Sequence, residues 1–244
     1  MTGINSANVS TTAEYTFRDQ ERMKLAVQYF DWQRRLALPE LGQRVLEIGC
    51  GMGNFTKHLV QREMVVGIDI VSECIEEHRK NMAPHGHVQS MVKNILDPTF
   101  LELRDLAPDS IVCLNVLEHI SDDLKALQHM HAILPSGGRA VLMIPAFQAL
   151  YGPIDGMLGH YRRYTRGSMK KVAEEAGFKA EKLRYINSVG FFGWWVNSHI
   201  FKKTEQSDSQ IKFFDSKIVP ALSRFEDKVE LPFGQSLFAV LVKP

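Results

Sequence analysis

Residues Val45 to Thr56 read VLEIGCGMGNFT, and Gly49, Gly51 and Gly53 strip side chains from the point where an apolar run ends. Bare backbone at the end of a strand lets a ligand approach amide groups closely. Asp69 closes the next apolar run, VVGID, twenty residues beyond Gly49. At that spacing a carboxylate can accept from both hydroxyls of a ribose, and the pair is far more specific than either part. The glycines are ordered GxGxG rather than GxGxxG, and Glu47 stands two residues before the first, which argues against a nicotinamide oxidoreductase.

Two other stretches carry side chains suited to moving a proton or orienting a polar group. Glu118-His119 follows an apolar run, DSIVCLNVL. His119 is read as a base, as a substrate contact, or as a packing and capping residue. Gly152 to Thr165, GPIDGMLGHYRRYT, gathers Asp155, His160, Tyr161, Arg162, Arg163 and Tyr164. His160 is the candidate base there, and arginine forks suit a carboxylate or phosphate, although adjacent arginines can point apart. Phe191, Phe192, Trp194 and Trp195 add an aromatic segment with three readings: core or dimer packing, the wall of an apolar acceptor pocket, or a membrane-interface contact helped by Lys202 and Lys203.

Those side chains need elements to hold them. Short β-branched runs at 44–48, 64–70, 87–92, 110–114 and 139–144 alternate with helix-like segments, the pattern of βαβ units and a parallel sheet covered on both faces. Ser121 is placed to cap a helix running to Leu134, and a second helix over 168–176 ends at Gly177. A helix over 17–38, with Tyr29, Phe30 and Trp32 clustered in it, is either core packing or a lid over the ligand, with Tyr29 a substrate contact in the second case. Met1 to Thr16 reads as a flexible tail, and residues 17–244 as one domain with substrate-side insertions at 145–167 and 189–235 before a last strand, SLFAVLV.

The segment Glu47 to Gly53 resembles the first motif of class I S-adenosylmethionine-dependent methyltransferases, and Asp69 resembles that family's ribose-binding acid. The resemblance covers roughly residues 40–180. It implies an α/β fold: a doubly wound, mostly parallel seven-stranded sheet with helices on both faces, an N-terminal helical lid and a C-terminal insertion before the last strand. It implies S-adenosylmethionine as cofactor and S-adenosylhomocysteine as product. Glu47 would hold the methionine amino group, Gly49, Gly51 and Asn54 would line it, and Asp69 with Ile70 would hold the adenosine. Asn94 and Ile95 would lie near the adenine, and Asn115 and Val116 beside the methionine. The LGHYRRYT pattern is similar to one in bacterial small-molecule methyltransferases, which implies a substrate side built from Tyr29, Asp155, Tyr161, Arg162, Arg163, Tyr164 and Trp194. Metal-assisted relatives carry Glu-x-x-Glu-His; Asn115 stands in place of the first glutamate here, so no metal centre is expected.

Composition narrows the partners. With 29 Lys and Arg against 28 Asp and Glu the net charge is +1, which gives no global electrostatic reason to bind nucleic acid, leaves only a local basic patch for it, and counts against an RNA methyltransferase. Cys50, Cys74 and Cys113 lack paired spacing, and no signal-like or spanning apolar run occurs, so the expected setting is cytoplasmic. The expected reaction is methyl transfer to an oxygen or nitrogen, with carbon not excluded, of a small-molecule or lipid-like acceptor. A non-catalytic cofactor-binding scaffold is the rival from another class.

Overall fold

The computed structural model describes residues 18, 20–202 and 207–244. Residues 1–16, Phe17 and Lys203 lie outside that range, and with them the expectation of a flexible tail. Seven strands, β1 (Arg44–Ile48), β2 (Met64–Asp69), β3 (Val88–Val92), β4 (Ser110–Leu114), β5 (Arg139–Pro145), β6 (Lys179–Ile186) and β7 (Ser236–Val242), form one sheet in the order β3-β2-β1-β4-β5-β7-β6. The first five pair in parallel, and β7 runs antiparallel to both β5 and β6. The expected apolar runs all become strands. β6 had no such run because KAEKLRYI is an edge strand, exposed or half-buried along most of its length.

Helices among the described residues include α1 (Val27–Ala37), α2 (Ser72–Met82), α3 (Asp123–Ile133), α4 (Pro153–Leu158), α5 (Arg166–Glu175), α6 (Ser188–Trp195), α7 (Asp208–Phe213) and α8 (Val219–Glu226). Successive strand residues bury on opposite faces of the sheet. Leu46, Val66, Ile111, Leu142 and Ala239 meet Leu127 and Met130 of α3 and Met169 and Ala173 of α5. Their neighbours Val45, Val65, Val112, Val141 and Val240 meet Trp32 of α1 and Leu222 of α8. Both faces are covered, so the central strands read as continuous apolar runs.

Three local expectations are corrected. The single helix expected over 17–38 is divided by a turn at 24–26, leaving residues 20–23 at the glycine loop while α1 packs on the sheet with Trp32 fully buried. Asp122, not Ser121, caps α3, its carboxylate accepting from the Lys125 amide at 3.0 Å. The cap of α5 is Thr165, in a reciprocal box with Ser168, so that helix starts two residues before the expected 168.

The chain leaves β1 towards β2 and β3, then returns to β4 on the other side of β1. The chain's change of direction at β1 and β4 marks the place, beyond their carboxyl ends, where a doubly wound sheet takes its ligand in a crevice. No helix among the described residues is long and apolar enough to cross a membrane.

Candidate active site

The glycine loop leaves β1 in a backbone conformation that L side chains rarely adopt: φ is 73° at Gly49 and 51° at Gly51. The amides of Gly49 and Cys50 both donate to the Ile68 carbonyl, at 2.8 and 3.0 Å, which pins the loop to β2. A Cβ on Gly49 would overlap Val116, so the loops after β1 and β4 touch there. Asp69 ends β2 with one oxygen accepting from the Gly51 amide at 3.0 Å and the other from Val71 at 2.9 Å. Burial raises its pKa, and those amides work against the rise. Each oxygen keeps a further lone pair for a ligand hydroxyl.

Glu47 is buried on β1 behind this loop, its carboxylate accepting from the Thr56 hydroxyl at 2.6 Å. Burial, reinforced by the Asp69 charge, pushes its pKa up to about 8 although the Thr56 bond opposes it. Asn54 donates to the Gln20 carbonyl at 3.2 Å, and a Cβ on Gly51 would meet the Gln20 side chain. The short stretch around Gln20, rather than α1, therefore meets the glycine loop. Ile70 is 69% exposed at the rim. Asn94 is exposed and accepts from the Leu96 amide at 2.9 Å, whereas Ile95 is turned into the core. Asn115 sits just past β4 with φ at 54°, its amide donating to the Met143 carbonyl at 2.7 Å.

The second cluster forms where the β4 end meets the loop after α4. His160 and His119 stand edge to face with ring centres 4.6 Å apart. Ligand atoms of Glu118, His119 and His160 lie within 4.8 Å of one another, a grouping able to hold a metal ion. Glu118 is fully buried, and its Oε2 has no hydrogen-bond partner. Burial pushes its pKa up to about 7 against the pull of His160 and Arg163. Burial and the neighbouring His160 hold His119 down to about 4, so it is a neutral ring at pH 7.

Asp155 organises this cluster from beneath. It is fully buried and accepts from His160 Nδ1 at 2.8 Å, from Arg163 Nε and Nη2 at 2.8 and 3.1 Å, and from the Gly152 amide at 3.0 Å. Burial alone would raise its pKa, but His160 and Arg163 hold it below the usual carboxylate range. Arg163 Nη1 donates to the Ala146 carbonyl at 3.2 Å, and the guanidinium lies over the Trp194 ring, 4.9 Å from its centre. Both are buried, so their polar groups face protein rather than an open crevice.

Other candidates are placed as follows. Arg162 pairs outward with Asp123 at 2.8 Å, and the Tyr164 hydroxyl donates to the same residue at 2.8 Å. Tyr161 is 59% exposed, with the Arg162 guanidinium over its ring, 5.8 Å from the centre. Tyr29 packs on the opposite face of the sheet, its hydroxyl 3.4 Å from Ser236 Oγ. In the aromatic segment Phe191 packs on Phe147 and Phe233, while Phe192 and Trp195 are exposed. Two contributors escaped the sequence: Thr56, present in the glycine stretch but unremarked, and His78, one histidine on the buried side of α2.

Residues 20–183 match the family described as a methyltransferase domain. The chain belongs to that family. This methyltransferase domain is of the Rossmann-like class that uses S-adenosylmethionine. It is similar to the ubiquinone biosynthesis O-methyltransferase of Haemophilus ducreyi, 29% identical over 101 residues, which are 40% of this chain and 43% of that one. It is also similar to the ubiquinone/menaquinone biosynthesis C-methyltransferase of the same organism, 28% identical over 149 residues, 59% of this chain and 56% of that one. The methyltransferase thus spans less than two thirds of the length of these curated relatives. Its fold is that of the S-adenosylmethionine-dependent methyltransferase from Mesorhizobium loti, with a TM-score of 0.59 at 16% identity, covering 86% of this chain and 95% of that one.

Proposed function

We propose that this methyltransferase moves a methyl group from S-adenosylmethionine to a hydroxyl oxygen of a small or lipid-like acceptor, with His160 as the general base. The cradle at the end of β1 suits that cofactor. Gly49 and Gly51 leave backbone bare, Asp69 aims a carboxylate at the ribose position and Glu47 lies where a methionine amino group would need an anion. Asn54, Ile70, Asn94, the backbone at Ile95, Asn115 and Val116 complete the wall. When bound, the cofactor supplies a sulfonium methyl that is already activated, so the chain has to align the acceptor, exclude water and take up its proton.

The observation that carries the reading is the His160–Asp155 bond at 2.8 Å. A buried carboxylate fixes Nδ1 as the protonated nitrogen, leaving the Nε2 lone pair to accept a proton. Carbon acceptors with activated ring positions have less need of such a base. Arg163 and Trp194 act through Asp155, and Tyr161, exposed at the surface beside Arg162, would meet the acceptor.

The partnerless Oε2 of Glu118 favours a second version of the same chemistry, in which Glu118, His119 and His160 would hold a divalent cation that would supply a Lewis acid for the acceptor hydroxyl. The test is a panel of phenols, amines and carbon acids with methyl-labelled donor, run with chelator and with added Mn²⁺ or Zn²⁺. His160→Ala is expected to cut transfer to hydroxyls by about 10²–10⁴-fold, while S-adenosylhomocysteine affinity stays within about twofold. Loss of activity on chelation selects the metal version. Transfer confined to carbon acids, untouched by His160→Ala, overturns the proposal.

A further inference from the structure

Behind the glycine loop, a line of buried polar groups crosses the sheet towards its edge. The Thr56 hydroxyl lies 2.6 Å from Glu47 Oε2 and 2.9 Å from His78 Nε2, and His78 Nδ1 lies 2.7 Å from Ser90 Oγ. Glu47, Thr56 and His78 are all buried, whereas Ser90 is half-buried on β3, the last strand on that side. Gly67 makes the passage possible, since a Cβ there would press on His78 Nε2 at 2.9 Å.

This line has two self-consistent directions. With Glu47 ionised, Ser90 O–H donates to His78 Nδ1, His78 Nε2–H to Thr56, and Thr56 O–H to Glu47. With Glu47 protonated every donor reverses: Glu47 to Thr56, Thr56 to His78 Nε2, His78 Nδ1–H to Ser90, and Ser90 to water. Passing between the two moves one proton from Glu47 to solvent and switches the histidine tautomer, and the ring is neutral before and after.

We propose that Thr56, His78 and Ser90 form a buried proton relay that takes the proton from Glu47 as the cofactor docks and releases it at the β3 edge, coupling cofactor binding to proton release. The inference rests on reading Glu47 as the partner of the methionine amino group, which needs a carboxylate rather than a carboxylic acid. The charges around the line fit the role. Burial and Asp69 keep Glu47 protonated near neutrality in the free protein, with a pKa of about 8. Burial, and then Arg79 on its own helix, hold His78 down to about 4, so the ring passes protons without becoming a cation. The Cys50 and Cys74 thiols beside the line stay neutral, burial pushing both up.

Two readouts of the 244-residue chain test it. By nitrogen NMR of labelled histidine, His78 should carry its hydrogen on Nδ1 at pH 6 and on Nε2 either above pH 9 or when saturated with S-adenosylhomocysteine. In calorimetry at pH 7, Tris and phosphate buffers should report release of about one proton per S-adenosylhomocysteine bound, lost in Glu47→Gln. Thr56→Val, which preserves shape, should leave the His78 tautomer deaf to both triggers. One unchanging tautomer in the wild type, or a switch that survives Thr56→Val, overturns the relay. If S-adenosylhomocysteine fails to bind, the cofactor reading fails separately, and the pH arm on the free protein still decides whether the relay exists.

Discussion

At the scale of single residues, the site depends on what buried carboxylates hold. Asp155 takes five donors, and its geometry explains why His160, Arg163 and Trp194 meet at one point. Asp155→Asn keeps the volume but leaves the Arg163 guanidinium, 1% exposed, without its counter-charge. Losing one partner of a buried pair costs about 3–5 kcal/mol, so thermal unfolding should show a clearly lowered midpoint. Turnover should fall with it, and S-adenosylhomocysteine should still bind to the folded fraction. This cluster was only half legible in the sequence. Its residue types were visible in GPIDGMLGHYRRYT, but which of them face a substrate depends on burial. Asp155, Arg163 and Tyr164, which read as acceptor contacts, are hydrogen-bonded to protein instead. Nor could spacing show that His160 comes back beside Glu118-His119, since that contact depends on how the loop after β5 folds over the β4 end.

At the scale of elements, legibility followed pattern strength. The central strands were readable because both of their faces are buried, and the glycine loop because its backbone demands φ values that glycine adopts readily. α6 was not readable as a helix. Its start is set by Asn187 at a φ of 64° and by Glu226, a distant buried carboxylate accepting from the Asn187 and Ser188 amides at 2.8 Å each. The aromatic cluster in α1 proved to be packing at Trp32, whose indole nitrogen donates to Asp227 at 3.1 Å and ties α1 to the end of α8. Trp32→Ala should therefore destabilise the fold by about 3–5 kcal/mol in denaturant titration. Cofactor affinity should change little, since the side chain lies on the sheet face rather than in the crevice. A variant as stable as the wild type would show that α1 does not anchor the domain.

At the scale of the whole molecule, buried titratable groups tie stability to pH. Glu47 has a folded pKa of about 8 against an ordinary 4.5, so its folded form holds a proton that the unfolded chain has released. A raised folded pKa means that this contribution is fully present below pH 4.5 and is lost as pH rises through about 8. His78 and His119 have depressed folded values, so their contributions vary below their ordinary 6.5 and are level above it. Between pH 7 and 8.5 the free protein's melting temperature should fall, and Glu47→Gln, which cannot ionise, should flatten that decline. An equally steep decline in the variant would place the cost of ionisation elsewhere. The sheet order lets these effects converge, because the crevice at the β1–β4 switch collects Glu47, Asp69, Asn115 and Glu118 from separate segments.

The most direct test of the account is calorimetric titration of the wild type, Asp69→Ala and His160→Ala with S-adenosylhomocysteine, with NADH as the control ligand. Micromolar binding of S-adenosylhomocysteine alone is expected, weakened at least about tenfold in Asp69→Ala and retained in His160→Ala. Binding of NADH instead, or equal affinity with and without the Asp69 carboxylate, would contradict it.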